Sequence, residues 1–126
     1  MVSARREREM GESKNYIMNV VNRGFIRIVP TEKFMSWAKS VAEETPFFEQ
    51  EPEATIYLIE EEFWEDDKVL EAYYRRIFKQ ECDPFIEENP TLPECSDLEA
   101  FLELFEVELG SFVYDLRKEN LERYEV

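Results

Sequence analysis

A short acidic segment lies between an apolar run and a helical pattern near the middle of the chain. We term residues 60–67, which read EEEFWEDD, the acidic link. Its carboxylates could hold a hard cation such as Mg²⁺ or Ca²⁺, although the segment lacks the alternation and the glycine of an EF-hand loop. The same charges could attract the basic surface of a partner, or could be the acids that favour a helix N-terminus. The sequence leaves these three interpretations open. The candidate binding residues are Glu60, Glu61, Glu62, Phe63, Trp64, Glu65, Asp66 and Asp67.

Two adjacent aromatic residues, Phe63 and Trp64, stand in the middle of the acidic link. Aromatic side chains are enriched among the residues that carry most of the binding energy in protein interfaces. Because acids flank both residues, no helical or strand pattern places them in a core. They are candidates for an exposed aromatic anchor, and the alternative is that they pack as a lid over the sheet.

A second group of carboxylates, Glu99, Glu103 and Glu106, has the spacing of one helical face. Such carboxylates can perform acid-base or metal-assisted chemistry if they are buried and their pKa values diverge. The alternatives are a solvated acidic face and a protein-binding face.

Two stretches of the chain, residues 40–67 and 80–116, hold 22 of the 30 acidic side chains and no basic one. The formal net charge is -15. A field of this sign attracts basic proteins and repels nucleic-acid phosphates, so we expect a basic protein partner and no direct nucleic-acid binding. Arg75, Arg76 and Lys79 form a basic island between the stretches, which could bind an anion or pair with neighbouring acids.

Histidine is absent from the sequence, which removes several kinds of chemistry. Ser-His-Asp and Cys-His nucleophiles, histidine-ligated zinc and Glu-x-x-His di-iron sites are all excluded. Cys82 and Cys95 have a spacing that fits no metal or redox motif, so we expect two reduced thiols and no cofactor. No apolar run approaches the roughly 20 residues that cross a bilayer, and no signal-peptide core is visible. These observations favour a soluble, cytoplasmic protein without a membrane partner.

The length of 126 residues and the 44% hydrophobic content favour one folded domain. We expect this domain to span residues 16–126, behind a disordered leader at residues 1–15 that has no apolar periodicity. Residues 16–29 indicate either a hairpin around Asn22 and Gly24 or a strand with an irregular lead-in.

The remaining pattern alternates helices and strands, in the order β(β)-α-β-α-α-β. We therefore predict an α+β fold in which a small sheet of three or four strands packs against three helices as a two-layer sandwich. The predicted elements are a strand at 25–29, a helix at 31–43 capped by Thr31, a buried central strand at 54–59, a helix at 66–82, a third helix that begins with a Ser96–Glu99 capping box and ends before Gly110, and a strand at 111–116.

Four segments of the chain resemble a family of small bacterial proteins of unknown function, over roughly residues 25–116. The segments are FMSWA at 34–38, IYLIE at 56–60, YRRIF at 74–78 and FEVELGSFVYDL at 105–116. Gly110 stands where that family typically has histidine. The resemblance implies the element order and a bacterial origin, and it implies no mechanism because the family has no established activity.

The function that these observations favour is a non-enzymatic interaction module that binds a basic protein partner through the acidic link. Immunity proteins, inhibitors and regulatory adaptors use such surfaces, and the sequence does not choose among them. The alternative is a carboxylate-based, metal-dependent hydrolase or a small-ligand-binding domain that uses Glu60, Asp66 or the helix carrying Glu99.

Overall fold

The computed structural model describes residues 18–41, 52–86 and 91–126. In this part of the chain, three helices and two small antiparallel sheets pack together, so the predicted α+β class is confirmed. The predicted leader at 1–15 lies outside the described residues, and so does the segment FFEQE at 47–51, which the bracketing Pro46 and Pro52 predict to be a loop. The elements are β1 (Asn19–Val21), β2 (Gly24–Pro30), α1 (Glu32–Val41), β3 (Thr55–Ile59), α2 (Asp66–Cys82), a 3₁₀ turn (Asp83–Phe85), α3 (Leu98–Leu104), β4 (Phe105–Gly110) and β5 (Val113–Asp115).

The larger sheet has β2 at its centre, between β3 and β4. Alternate residues of β2 face the helices, and Ile26 and Ile28 are fully buried there. Strand 54–59 was predicted to be central and buried, and this prediction is wrong. The strand is confirmed as β3, but within the described residues it pairs only with β2, and Ile56 and Leu58 are 54% and 52% exposed. A strand with one solvent-exposed face usually alternates apolar and polar residues. The run ATIYLI lacks that alternation, so the sequence gives no sign that one face of β3 is exposed.

The smaller sheet joins the two ends of the described chain. Its strands are β1 and β5, with Val20 opposite Tyr114. Neither interpretation of residues 16–29 is correct over the described residues, because β1 is a regular strand that pairs with β5 and not with β2. The strand predicted at 111–116 is shorter, as β5.

The third predicted helix is wrong in its second half. Helix α3 ends at Leu104, and the chain passes directly into β4. Residues 105–109 read FEVEL, in which apolar and acidic residues alternate, and a period of two places the apolar ones on the core face of a sheet. The cap also differs from the predicted one: Asp97, not Ser96, accepts a hydrogen bond from the backbone N–H of Ala100, at 2.8 Å.

Helix α2 begins and ends where the sequence predicts. Its buried stripe faces an aromatic cluster in which the rings of Phe101 and Phe105 lie 4.9 Å apart and those of Tyr74 and Phe101 lie 5.7 Å apart. Thr31 stands directly before α1, where its carbonyl accepts a hydrogen bond from the Met35 N–H at 3.0 Å. Its hydroxyl also ties α1 to α3, because it donates to the Glu103 carbonyl at 2.7 Å. No helix among the described residues is both long and apolar enough to cross a membrane.

Gly24 is required where β2 approaches the start of the acidic link. A Cβ atom there would lie 2.8 Å from the Glu60 carbonyl oxygen and 2.9 Å from that of Gly110. Neither backbone can retreat without disturbing the sheet, so we expect Gly24→Ala to lower the free energy of unfolding by about 1 to 3 kcal/mol. Gly110→Ala is the control, since its Cβ would meet the ring of Phe25, which can rotate. Equal losses in urea denaturation would contradict this account.

Candidate functional site

The acidic link connects the edge strand β3 to the first turn of α2. Its start is fixed by a hydrogen bond from the Gly24 backbone N–H to the Glu60 carbonyl, at 3.1 Å. Its end is fixed by the helix, because the Glu65 carbonyl accepts a hydrogen bond from the Val69 N–H, at 3.2 Å. The link is therefore held at both ends by regular structure, and its side chains project from a defined backbone.

The two aromatic residues of the link have different environments. Phe63 is half-buried and packs against the hydrophobic core, whereas the side chain of Trp64 is 94% exposed. The two interpretations made from the sequence are thus divided between neighbours: Phe63 packs on the fold, and Trp64 projects into solvent. Phe63 lies beside Gly24, where a Cβ atom would be 3.0 Å from its ring.

All six carboxylates of the link are exposed. Glu60 accepts a hydrogen bond from the Tyr73 hydroxyl at 3.1 Å, and Glu65 lies 3.4 Å from the Lys68 ammonium. The other four carboxylates make no ion pair or side-chain hydrogen bond with any residue that the structure describes; these are Glu61, Glu62, Asp66 and Asp67. Most of the negative charge around Trp64 is consequently available to a partner.

The second predicted group of carboxylates does not exist as one face. Glu99 and Glu103 lie on α3, whereas Glu106 lies on β4, because the helix ends at Leu104. Glu103 is already paired, since its carboxylate lies 2.7 Å from the Lys33 ammonium. That contact raises the pKa of Lys33. Acid-base chemistry by these three groups acting together is not supported.

The basic island lies on exposed positions of α2. The guanidinium of Arg75 lies 4.6 Å from the centroid of the Tyr74 ring, a cation–π contact. The predicted pairing of the island with neighbouring acids is not seen within the described ranges, where no ion pair of Arg75, Arg76 or Lys79 occurs. Arg76 instead lines a cavity described below.

Within residues 18–41, 52–86 and 91–126, no three acidic or cysteine side chains lie close enough together to hold a metal ion. Both cysteines are free thiols, as predicted. Burial raises the pKa of the Cys82 thiol to about 12 and also raises that of Cys95, so neither thiol is activated as a nucleophile.

A cavity of about 870 Å³ lies between β3, α1 and the C-terminal half of α2. No pattern considered in the sequence predicted this cavity. Most of its lining is apolar, and its lining residues are Pro30, Phe34, Met35, Pro52, Glu53, Thr55, Tyr57, Leu58, Ile59, Tyr73, Arg76, Ile77, Gln80, Glu81, Pro84, Phe85 and Val126. A concave, largely apolar site of this size is suited to a small molecule.

Glu81 is the partly buried carboxylate of this cavity. The Tyr57 hydroxyl donates a hydrogen bond to it at 2.5 Å. Burial raises the pKa of Glu81, and hydrogen bonds from Tyr57 and Thr55 oppose that rise. Burial, followed by the contact with Glu81, also raises the pKa of Tyr57, which therefore remains a donor at neutral pH.

Replacing Glu81 with glutamine should stabilise the protein at neutral pH. The pKa of Glu81 is higher in the folded chain than in the unfolded one, so the ionised side chain costs folding free energy above the folded pKa. That cost disappears as the pH falls to the unfolded value, near 4.5. The difference in melting temperature between Glu81→Gln and the parent should therefore be positive at pH 7 and vanish near pH 4. A difference that does not change with pH would contradict the assigned cause, and the exposed Glu71→Gln is the control.

Among the described residues, fold and surface together define a strongly acidic α+β structure with a solvent-exposed tryptophan, Trp64, and a largely apolar cavity. The chain matches no protein-family model, no curated protein and no solved structure. The resemblance to a bacterial family stays a prediction.

Proposed function

We propose that the protein is a non-enzymatic interaction module that binds a basic protein through the acidic link. The observation that carries this proposal is the exposure of Trp64 beside carboxylates of which four make no ion pair or side-chain hydrogen bond among the described residues, namely Glu61, Glu62, Asp66 and Asp67. An exposed tryptophan presents a large apolar surface to water. A partner that buries this surface gains hydrophobic free energy, which favours binding. Nothing in the packing of the fold requires this side chain.

Charge supports the choice of partner. The net charge of -15 and the acids on either side of Trp64 favour a positively charged surface and accelerate its encounter with the link. Charges at the rim of an interface mainly set partner choice and association rate, while an aromatic anchor slows dissociation. The link therefore combines the two features that a dedicated protein-binding surface needs.

We place this module in a bacterial cytoplasm. The two free thiols support a reducing compartment, because paired cysteines are typical of secreted domains of this size. Immunity, inhibitor and adaptor roles all fit the surface. These three roles differ in what happens to the partner after binding. Identifying the partner would therefore distinguish between them.

The experiment that tests the proposal is affinity capture from a lysate of the producing cells, at low and at physiological salt, with mass spectrometry of the bound proteins. We expect one basic protein to be retained at both salt concentrations. A mixture of basic proteins that is lost at physiological salt would contradict the proposal, because it would show only nonspecific attraction to an acidic surface.

A further inference from the structure

The cavity between β3 and α2 adjoins the start of the acidic link, because Tyr73 lines it and donates a hydrogen bond to Glu60, but Trp64 is not among its lining residues. Its walls combine aromatic and aliphatic side chains from several elements, among them Phe34 on α1, Ile59 on β3, Ile77 on α2 and Phe85 on the 3₁₀ turn. A volume of about 870 Å³ lies in the range of pockets that enclose most of a small molecule. The apolar walls favour a ligand with a hydrophobic body.

One wall of the cavity carries a carboxylate that the fold does not neutralise. Glu81 accepts a hydrogen bond from the Tyr57 hydroxyl, and no cationic side chain among the described residues contributes to its pKa. Hydroxyl donors orient a carboxylate but leave its full charge in place. A partly desolvated carboxylate in this state gains most from a ligand that brings a positive charge.

Apart from Glu81, the lining carries one acidic and one basic side chain. Glu53 and Arg76 also line the cavity, and both are exposed. Because the charges of Glu53 and Arg76 are opposite, the net charge of the lining side chains is that of Glu81. The Glu81 carboxylate accepts a hydrogen bond from the Tyr57 hydroxyl. The protein as a whole carries -15, which disfavours anionic ligands further.

We propose that this cavity binds a small primary amine with an apolar body, whose ammonium group pairs with the Glu81 carboxylate while the body packs against the partly buried side chains of Met35, Tyr73 and Phe85. The Tyr57 hydroxyl holds the carboxylate in the orientation that receives the ammonium. This site is independent of the proposed protein-binding surface, and either one could exist without the other.

Three probes that share a phenyl ring and differ in their polar group test the class of ligand: 2-phenylethylamine, 2-phenylethanol and 3-phenylpropionate. Each is titrated into the full chain, and binding is followed by calorimetry and by the amide chemical shifts of Tyr57, Ile77 and Phe85. We expect the amine to bind most tightly and to shift these amides. Tightest binding by the carboxylate would overturn the proposal in favour of Arg76, and equal binding by the amine and the alcohol would show that charge has no part.

Two variants and one control test the placement of the ligand. Glu81→Gln, which keeps an acceptor for Tyr57, should weaken amine binding by about 10- to 100-fold, the effect of losing a charge-assisted hydrogen bond. Gln80→Trp places an indole at the cavity wall and should weaken it as strongly. Glu71→Gln, on an exposed position of the same helix, should leave it unchanged. Amine binding that survives both cavity variants would overturn the proposal, because the amine would then lie on the acidic surface elsewhere.

Discussion

Replacing Glu61, Glu65 and Asp67 with lysine should abolish capture of the basic partner while the domain stays folded. All three side chains are exposed and flank Trp64. Reversing their charge turns attraction into repulsion at the surface where contact occurs, and we expect the association rate at low salt to fall by about 10- to 1000-fold. Capture under the conditions described above, with surface plasmon resonance on the captured partner, measures the effect.

The matched control changes the same number of acids elsewhere. Glu94, Glu99 and Glu106 are exposed and lie outside the acidic link, so replacing them with lysine changes the net charge by the same amount. Asp67 and Glu99 each lie in the first turn of a helix, so the two variants lose similar helix-dipole stabilisation. If both triple variants lost the partner equally, overall charge rather than the link would explain binding.

Replacing Phe101 with alanine should lower the free energy of unfolding by about 3 to 5 kcal/mol, the cost of removing a phenyl ring from a filled core. Its side chain is fully buried, and its ring contacts those of Tyr74 and Phe105. These contacts join α3 to α2 and to the sheet, so the loss affects the centre of the fold. Chemical denaturation followed by circular dichroism measures the change.

The adjacent residue provides the control for this prediction. Leu102 is 44% exposed, on the same helix, and Leu102→Ala should cost far less than Phe101→Ala. A similar loss in the two variants would mean that the helix itself, rather than the aromatic cluster, limits stability.

Helix α2 shows what sequence patterns predict well. Val69, Leu70, Tyr74 and Ile77 repeat at helical spacing, and Asp66 begins the first turn. Periodicity and end signals therefore agreed over a long segment, and both boundaries were predicted correctly. The strand at 25–29 was predicted for the same reason, because its alternation is regular and Pro30 marks its end.

The passage from α3 to β4 shows where the same reasoning failed. Phe101, Phe105 and Leu109 repeat every four residues, which fits a helix, but Phe105, Val107 and Leu109 also alternate, which fits a strand. The structure uses the second pattern because β4 completes the sheet beside β2 and buries Phe105 there. Residues 105–109 form a strand because β2 is available to pair with them. The sequence of residues 105–109 alone does not contain that information.

The candidate sites divide in the same way. The acidic link was predicted as a segment, but the separation of Phe63 from Trp64 depends on packing around Gly24. The cavity was missed because Tyr57 and Glu81 belong to different elements, and their hydrogen bond spans 24 residues. A signal was present: Glu81 lies four residues after the buried Ile77, on the apolar side of α2.

The most direct test of whether Trp64 anchors the partner is the affinity of the Trp64→Ala variant for the captured protein. Because this side chain is 94% exposed, its removal should leave the stability of the domain unchanged. We expect the affinity to fall by at least about 2 kcal/mol, or roughly 30-fold, as for an interface hot spot. An affinity equal to that of the parent protein would contradict the account.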